Sequence, residues 1–342
     1  WMQPLGLFIN NEFVASSNGQ TITSVNPTTE EDICSVYAAT TDDVDKAVAA
    51  AKKAFRDPSW RQLSGTERGA LMYKLADLVA EHAETLATIE ALDNGKPYSV
   101  ALKENVPEVI NVLRYYAGYA DKNFGQTIDV GPAKFAYTIK EPIGVCGQII
   151  PWNFPLLMLA WKIGPALATG NTVVLKTAEQ TPLSALVFAQ FIKEAGFPPG
   201  VVNIISGFGK TAGAAIASHM DIDKVAFTGS TLVGRSIMKA AAESNLKKVT
   251  LELGGKSPNI VFDDADLDLA VEGAIASKFR NNGQTCMCAN RIYVHRKIAD
   301  DYIGKLAAKM QAKVLGNGLE ENVDLGPLIN KEALDKVERH VR

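Results

Sequence analysis

The chain has 342 residues, enough for about two domains and for a full hydrophobic core without disulfide or metal staples. Hydrophobic residues make up 47% and charged residues 21%, a globular balance that argues against collagen, coiled coil or bulk disorder. With 35 basic and 38 acidic residues the net charge is -3, which disfavours nucleic acid or an anionic membrane as the main partner.

Four cysteines are too few for a disulfide framework and suit a reducing compartment, the cytoplasm. The most apolar stretch, Ile143 to Leu175, is interrupted by Pro151, Asn153, Pro155, Lys162, Pro165 and Asn171. It lacks the run of about 20 apolar residues that a membrane-spanning helix needs.

In chain order, Asp42 to Phe55 reads as a helix with Val44, Val48 and Phe55 on one stripe and Asp42 as its N-cap. Ser64-Gly-Thr-Glu67 fits a capping box ahead of one long helix through Ala70 to Asp93, which Asn94-Gly95 stops. Leu102 to Tyr119 makes a further helix. Phe124 to Lys140 reads as a hairpin arm turning at Gly131-Pro132.

From Val145 short apolar runs alternate with helix-length segments. The runs are Val145–Ile150, Thr172–Leu175, Val201–Ile205, Lys224–Phe227 and Val249–Leu251. This alternation predicts a doubly wound α/β domain around a parallel sheet, which binds ligands at the carboxyl ends of its strands. After Asp263 the pattern is a helix (Leu267–Phe279), a polar turn (Asn281–Thr285), a strand (Arg291–His295) and more helices.

The motifs have bland readings as well as functional ones. Gly207-Phe-Gly209-Lys-Thr-Ala212 fits a dinucleotide glycine pattern, but no convincing ribose-binding acid follows it. Thr228-Gly229-Ser230-Thr231-Leu-Val-Gly234 follows a strand and opens a helix, where a cap and free N–H groups attract phosphate; an ordinary cap would look the same. Lys176 and Glu179, three residues apart at a strand end, suit ribose hydroxyls or form a simple surface pair.

Cys286, in Gly283-Gln-Thr-Cys286-Met-Cys288, is a candidate thiolate nucleophile. No second cysteine pair or suitably spaced histidine turns C-x-C into a metal site. No histidine occurs in these motifs, so the base would be a carboxylate, and Glu252 in Leu251-Glu-Leu-Gly-Gly255 is the candidate. Asn153, in the proline-bounded turn Pro151-Trp-Asn-Phe-Pro155, suits an oxyanion donor or a packing turn.

Together, Pro151–Leu156, Leu175–Pro182, Phe227–Gly234, Leu251–Pro258 and Gly283–Cys286 resemble the NAD(P)-dependent aldehyde dehydrogenase superfamily. The resemblance runs from Phe8-Ile-Asn-Asn-Glu-Phe13 to Gly326-Pro327. It implies an aldehyde-dehydrogenase-like α/β fold. Residues 1–121 and 143–253 would form a discontinuous NAD-binding domain, 122–142 an oligomerisation arm and 254–342 an incomplete catalytic domain.

It also implies roles. Cys286 attacks the aldehyde, and Asn153 with the cysteine N–H holds the oxyanion. Hydride passes to nicotinamide, and Glu252 activates water against the resulting thioester. Lys176 and Glu179 meet the ribose, Ser230 and Trp152 the pyrophosphate, with Gly209, Gly229 and Gly234 around the cofactor. Glu179 would repel a 2′-phosphate, so NAD is expected over NADP. The family form is a homo-oligomer, dimer or tetramer.

Up to about Phe262 the wording resembles acetaldehyde-type enzymes, fungal ones most of all; from Val261 onward it resembles succinate-semialdehyde dehydrogenases. Of the two arginines that hold the succinate carboxylate in the latter, one matches Arg280 and the other falls on Trp161. Trp161 with Phe154, Leu157 and Met158 suggests an apolar tunnel and a medium or aromatic aldehyde, with succinate semialdehyde the alternative substrate. Cys288 matches a cysteine that in some relatives forms a reversible disulfide with the nucleophile. The family pattern continues past Arg342, so the expectation is a C-terminally truncated chain. The competing reading is an impaired fragment or a non-catalytic dinucleotide-binding protein of the same fold.

Overall fold

The computed structural model describes residues 2–342. The chain opens with two short hairpins, β1 (Leu7–Ile9) with β2 (Glu12–Val14) and β3 (Thr21–Val25) with β4 (Asp32–Tyr37). Asn10 and Asn11, both with positive φ, turn the first one, the geometry that a two-residue hairpin loop requires. Helices α1 (Thr41–Arg56), α2 (Pro58–Arg61), α3 (Gly65–Glu81), α4 (Ala83–Asn94), α5 (Tyr98–Val100) and α6 (Val106–Tyr119) follow.

Three expectations need correction here. The N-cap of α1 is Thr40 rather than Asp42, because Thr40 Oγ1 accepts from the Asp43 N–H and Asp43 returns the bond in a capping box. The segment through Ala70 to Asp93 is two helices. His82 leaves helical geometry between them, its ring stacked on Phe191 with centroids 4.9 Å apart. The helix expected from Leu102 begins as a π-turn over Ala101–Asn105. Pro107 lies just beyond it and cannot donate to the preceding turn, so the wider turn accommodates it. The Ser64–Glu67 capping box and the left-handed Gly95 stop are present as expected.

The hairpin arm is β5 (Thr127–Ile128) paired with β6 (Ala136–Tyr137). Then come β7 (Val145–Ile149), α7 (Pro155–Ala168), β8 (Thr172–Lys176), α8 (Leu183–Ala195), β9 (Val202–Ile205), α9 (Ala214–Ser218), β10 (Lys224–Gly229), α10 (Thr231–Glu243) and β11 (Lys248–Leu253). A smaller unit holds β12 (Ser257–Val261), α11 (Leu267–Phe279), β13 (Ala289–Val294), α12 (Ala299–Gln311) and α13 (Lys331–Val341). The strand expected at Arg291–His295 is β13, and β12, which pairs parallel to it, escaped the sequence reading.

The large sheet runs β11-β10-β7-β8-β9-β1-β2. Its first five strands are mutually parallel, and the β1–β2 hairpin closes the far edge antiparallel. The chain builds outward from β7 through β8 and β9, then returns to lay β10 and β11 on the other side of β7. The boundary between β7 and β10 is thus a topological switch point, where open α/β sheets bind ligands.

Strand alternation puts Val173 and Leu175 in one core with α3, α4, α6, α7 and α8, and Val174 in the other with α1, α9 and α10. Helices therefore cover both faces. A third small core joins Val261, Val271, Ala274, Ile275 and Tyr302.

α3 and α6 pack closely because Gly69 leaves no Cβ, which would stand 2.7 Å from the Ala117 carbonyl oxygen. Gly69→Val should cost about 1–3 kcal/mol from this clash with rigid backbone. Gly273→Ala, inside α11 with nothing within 4 Å of the new atom, should gain up to about 1 kcal/mol. Urea unfolding midpoints of the two variants check both signs.

Candidate active site

The parallel register aligns the strand ends. Ile149 pairs with Lys176 and Phe227, Lys176 with Ile205, and Thr228 with Glu252. Pro151–Phe154, Lys176–Glu179, Thr228–Ser230 and Glu252 therefore leave one edge of the sheet together, although they are spread over a hundred residues of sequence.

A cavity of about 930 Å³ opens at the switch point. Trp152, Lys176, Glu179, Gly209, Gly229 and Ser230 are among its walls. Ser230 Oγ caps α10 by accepting from the Val233 N–H at 3.3 Å. The N–H groups of Thr231 and Leu232 are left without intrahelical partners. Lys176 is buried, its amine lowered by burial, and its Nζ lies 3.6 Å from a Glu179 oxygen. Glu179 also accepts from the Gly209 N–H, which ties the two motifs together.

One expected cofactor residue falls elsewhere. Gly234 is absent from the cavity wall; a Cβ there would press on Leu253 at 2.8 Å, so this glycine lets α10 lie close on β11.

The second cluster surrounds the Cys286 loop. Cys286 is exposed on the turn between α11 and β13. Asn281 and Asn282 give that turn its shape with φ of 50° and 57°, a left-handed region asparagine tolerates. Asn153, half-buried, donates from Nδ2 to the Gln284 carbonyl at 2.8 Å, two residues before the cysteine. Asn281 Nδ2 donates back to the Asn153 carbonyl at 2.9 Å. From the other side a Cβ on Gly255 would stand 3.2 Å from the Cys286 carbonyl oxygen, so the segment just after Glu252 lies against the cysteine loop. Glu252 itself is exposed.

Sequence reading missed Lys162. Its Nζ donates to Thr228 Oγ1 at 2.8 Å. Burial pulls its amine down to about 8, against the opposing pull of the Glu252 carboxylate. The available signal was a lone lysine in an otherwise apolar helix, two turns beyond Pro155.

The substrate-side residues on or next to α7 differ in exposure. Phe154, Leu157 and Met158 are core residues, and Trp161 is 42% exposed. Arg280 is engaged already, with Nη2 3.4 Å from Glu108 and Nε 3.8 Å from Glu104. Its guanidinium also lies 5.7 Å from the centroid of the Phe154 ring. Cys288 is buried, its Sγ donating to the Lys278 carbonyl at 3.5 Å, and burial raises its thiol. All four cysteines are free. A second cavity, about 860 Å³, is lined by Arg280, Thr285 and Met287 among others.

Comparison with known proteins gives the family. A match to the aldehyde dehydrogenase family covers residues 13–342. The chain belongs to the aldehyde dehydrogenase family. It is 60% identical over 339 residues to an aldehyde dehydrogenase of Emericella nidulans, covering 99% of this chain and 68% of the relative's length. It is 54% identical over 332 residues to a human mitochondrial aldehyde dehydrogenase, covering 97% of this chain and 64% of the relative. The NAD+ complex structure of aldehyde dehydrogenase from Bacillus cereus superposes with a TM-score of 0.97 at 50% identity, over 99% of this chain and 69% of that one. The chain thus spans about two thirds of the length of these relatives. The fold class, the family and its activity class, aldehyde oxidation, stand as expected from the sequence. The non-catalytic reading is not favoured. Among the described residues no helix is long and apolar enough to cross a membrane.

Asp93, near the end of α4, is fully buried, and its carboxyl is pushed up to about 8 by burial, against hydrogen bonds from Ser24 and the Leu183 N–H. An unfolded aspartate titrates near ~4. The contribution of neutral Asp93 to stability is therefore complete below about pH 4 and is lost as pH rises through about 8. Asp93→Asn keeps the neutral group. Its melting temperature should gain on the parent by about 2 °C or more between about pH 5 and about pH 8.5. A constant difference between the two across that range contradicts the assignment.

Proposed function

We propose that this chain binds NAD at the switch-point cavity and oxidises an aldehyde to a carboxylic acid on Cys286. The observation that carries the reading is the convergence of Asn153, Cys286 and the Glu252 strand end beside that cavity.

The cavity suits a dinucleotide in size and chemistry. Its volume of about 930 Å³ lies within the usual range for cofactor sites. Glu179 would hold ribose hydroxyls with Lys176, and the open N-terminus of α10, with Ser230 and Trp152, would hold the pyrophosphate. Gly209 and Gly229 keep side chains out of the way. NAD supplies, when bound, the acceptor for the aldehyde hydrogen and its electron pair. The Glu179 carboxylate disfavours a 2′-phosphate, so NAD is the preferred form.

On the protein side, the Cys286 thiolate adds to the carbonyl carbon. The Asn153 amide has two N–H donors; one reaches Gln284, and the second is left for the oxygen that becomes negative. The Cys286 N–H would be the partner donor. Oxidation leaves a thioester on Cys286. Glu252 takes a proton from the water that opens it, freeing the acid and restoring the thiol. Lys162, between Thr228 and Glu252, places a cation close to that carboxylate.

Two arguments bear on the substrate. Arg280 is neutralised by Glu104 and Glu108, and Trp161 stands where a second arginine would be needed, so a carboxylate clamp is missing. A medium or aromatic aldehyde fits better than succinate semialdehyde. A Cys286–Cys288 oxidative switch would require Cys288 to leave its buried contact with Lys278.

The domain division proposed is residues 1–121 with 143–253 for the cofactor, 122–142 as an arm and 254–342 for catalysis. Phe124, Ile128, Phe135, Tyr137 and Ile139 are exposed on or beside the arm, a surface suited to pairing in a dimer or tetramer. Four free cysteines fit a reducing compartment, which we read as the cytoplasm.

Absorbance at the NADH band, with a panel of aldehydes, tests the function. The expected result is turnover with NAD several-fold faster than with NADP, benzaldehyde above succinate semialdehyde, and a loss of at least about 10³-fold in Cys286→Ser. Equal rates for parent and Cys286→Ser would overturn the mechanism, and clear preference for NADP would overturn the cofactor assignment.

A further inference from the structure

Beneath the Pro151–Pro155 turn lies a charge pair that the mechanism above does not use. Lys96 and Glu90 have side chains only 1% exposed, with Nζ 3.1 Å from Oε2. The ammonium also donates to Asn105 Oδ1 at 2.9 Å and to the Asn153 carbonyl at 3.3 Å, so its three N–H groups have three acceptors. It stands 4.7 Å from the centroid of the Phe154 ring. Glu90 uses its other oxygen to accept from the Leu156 N–H at 3.2 Å and from Ser184 Oγ at 2.7 Å. Asn94, between the two in sequence, donates from Nδ2 to the Trp152 carbonyl at 2.8 Å.

One short stretch, Glu90 to Lys96, therefore holds the turn at Trp152, Asn153 and Leu156. The turn needs such support. Phe154 has φ −135° and ψ 70°, outside regular structure, and α7 has no side-chain cap of its own. A buried ion pair is an inefficient way to stabilise a fold, because apolar packing of equal volume does as well or better. What it supplies here is placement. Its two ends hold the backbone at the Asn153 carbonyl and at the Leu156 N–H, and Asn94 holds the Trp152 carbonyl just before the residue whose amide faces the Cys286 loop.

We propose that Lys96, with Glu90 and Asn94, is a positioning residue that fixes the Asn153 amide for oxyanion stabilisation during acylation of Cys286. The proposal rests on the reading of Asn153 as the oxyanion donor. Misplacement of a catalytic group by about 1 Å costs roughly 10²-fold in rate. The effect should therefore fall on steps that develop an oxyanion and spare those that do not.

Two reactions of Cys286 separate these. Acylation by p-nitrophenyl acetate passes through a tetrahedral oxyanion and releases p-nitrophenolate. Alkylation by iodoacetamide displaces iodide and makes no oxyanion. Asn153→Ala should slow acylation by about 10²-fold or more. Lys96→Met should slow it by about 10²-fold and Asn94→Ala by about tenfold. The double variant Lys96→Met with Asn153→Ala should be within about threefold of Asn153→Ala alone, because both act through one interaction. Alkylation should stay within about twofold of the parent in Lys96→Met and Asn94→Ala, since no oxyanion forms in it.

Acylation near the parent rate in Lys96→Met and Asn94→Ala, with Asn153→Ala slow, overturns the positioning role and leaves the Asn153 reading standing. Acylation unchanged in Asn153→Ala overturns that reading and the proposal with it. Alkylation falling in step with acylation in the Lys96 and Asn94 variants also overturns the proposal, since the loss is then structural. Should Lys96→Met fail to fold, Asn94→Ala decides alone, because it leaves the buried charges paired.

Discussion

Between β7 and β10 the chain reverses the direction in which it extends the sheet, and the helices on either side must part there. The crevice this leaves is why Pro151 and Trp152, leaving β7, and Thr228–Ser230, leaving β10, face one cavity. Parallel register does the rest. Lys176 sits beside Ile149, and Glu252 beside Thr228, because every strand of this part of the sheet ends on the same side. Burial of both faces by helices fixes that register, since a slip of one residue would exchange Val174 with its neighbours between the two cores.

Around this crevice the polar groups are arranged by loops anchored from below. The turn after β7 is irregular, and its backbone groups are satisfied by side chains from distant segments: Asn94, Lys96 and Asn281. The Cys286 turn depends on two left-handed asparagines, and Asn282 in turn reaches the carbonyls of Gly326 and Pro327 at 2.6 and 2.7 Å. Gln284 Oε1 accepts from the Ile329 N–H at 2.9 Å. The segment around Gly326 also packs on Gly95, where a Cβ would stand 2.8 Å from Pro327 Cγ, so the missing side chain permits the close approach. The loops that carry the candidate chemistry are thus cross-braced, which suits groups whose geometry matters more than their exposure.

Much of this was legible in the residues. Five short apolar runs between helix-length segments specified the parallel sheet, and the capping box at Ser64–Glu67 and the stop at Gly95 were local enough to read directly. What was not legible depended on tertiary contact. The break at His82 comes with a ring stacking on Phe191, more than a hundred residues away. β12 has only a short alternating pattern and gains its partner β13 from across α11. The burial of Phe154, Leu157 and Met158 in the main core could not be told from an amphipathic pattern in a helix apolar on nearly every side. Asn153, Glu252 and Cys286 could be picked out as residue types in suggestive turns. That Lys96 and Lys162 stand beside them required the fold.

In the proposed mechanism Cys286 carries the acyl group. Intact-mass and peptide analysis of the Glu252→Gln variant, mixed with NAD and benzaldehyde and quenched in acid, tests it most directly. Slow hydrolysis in that variant should leave one benzoyl group per chain, on the peptide containing Cys286, and only when NAD is present. A benzoyl group on another residue, or none on Cys286 in a chain that demonstrably binds NAD, would contradict a Cys286 thioester.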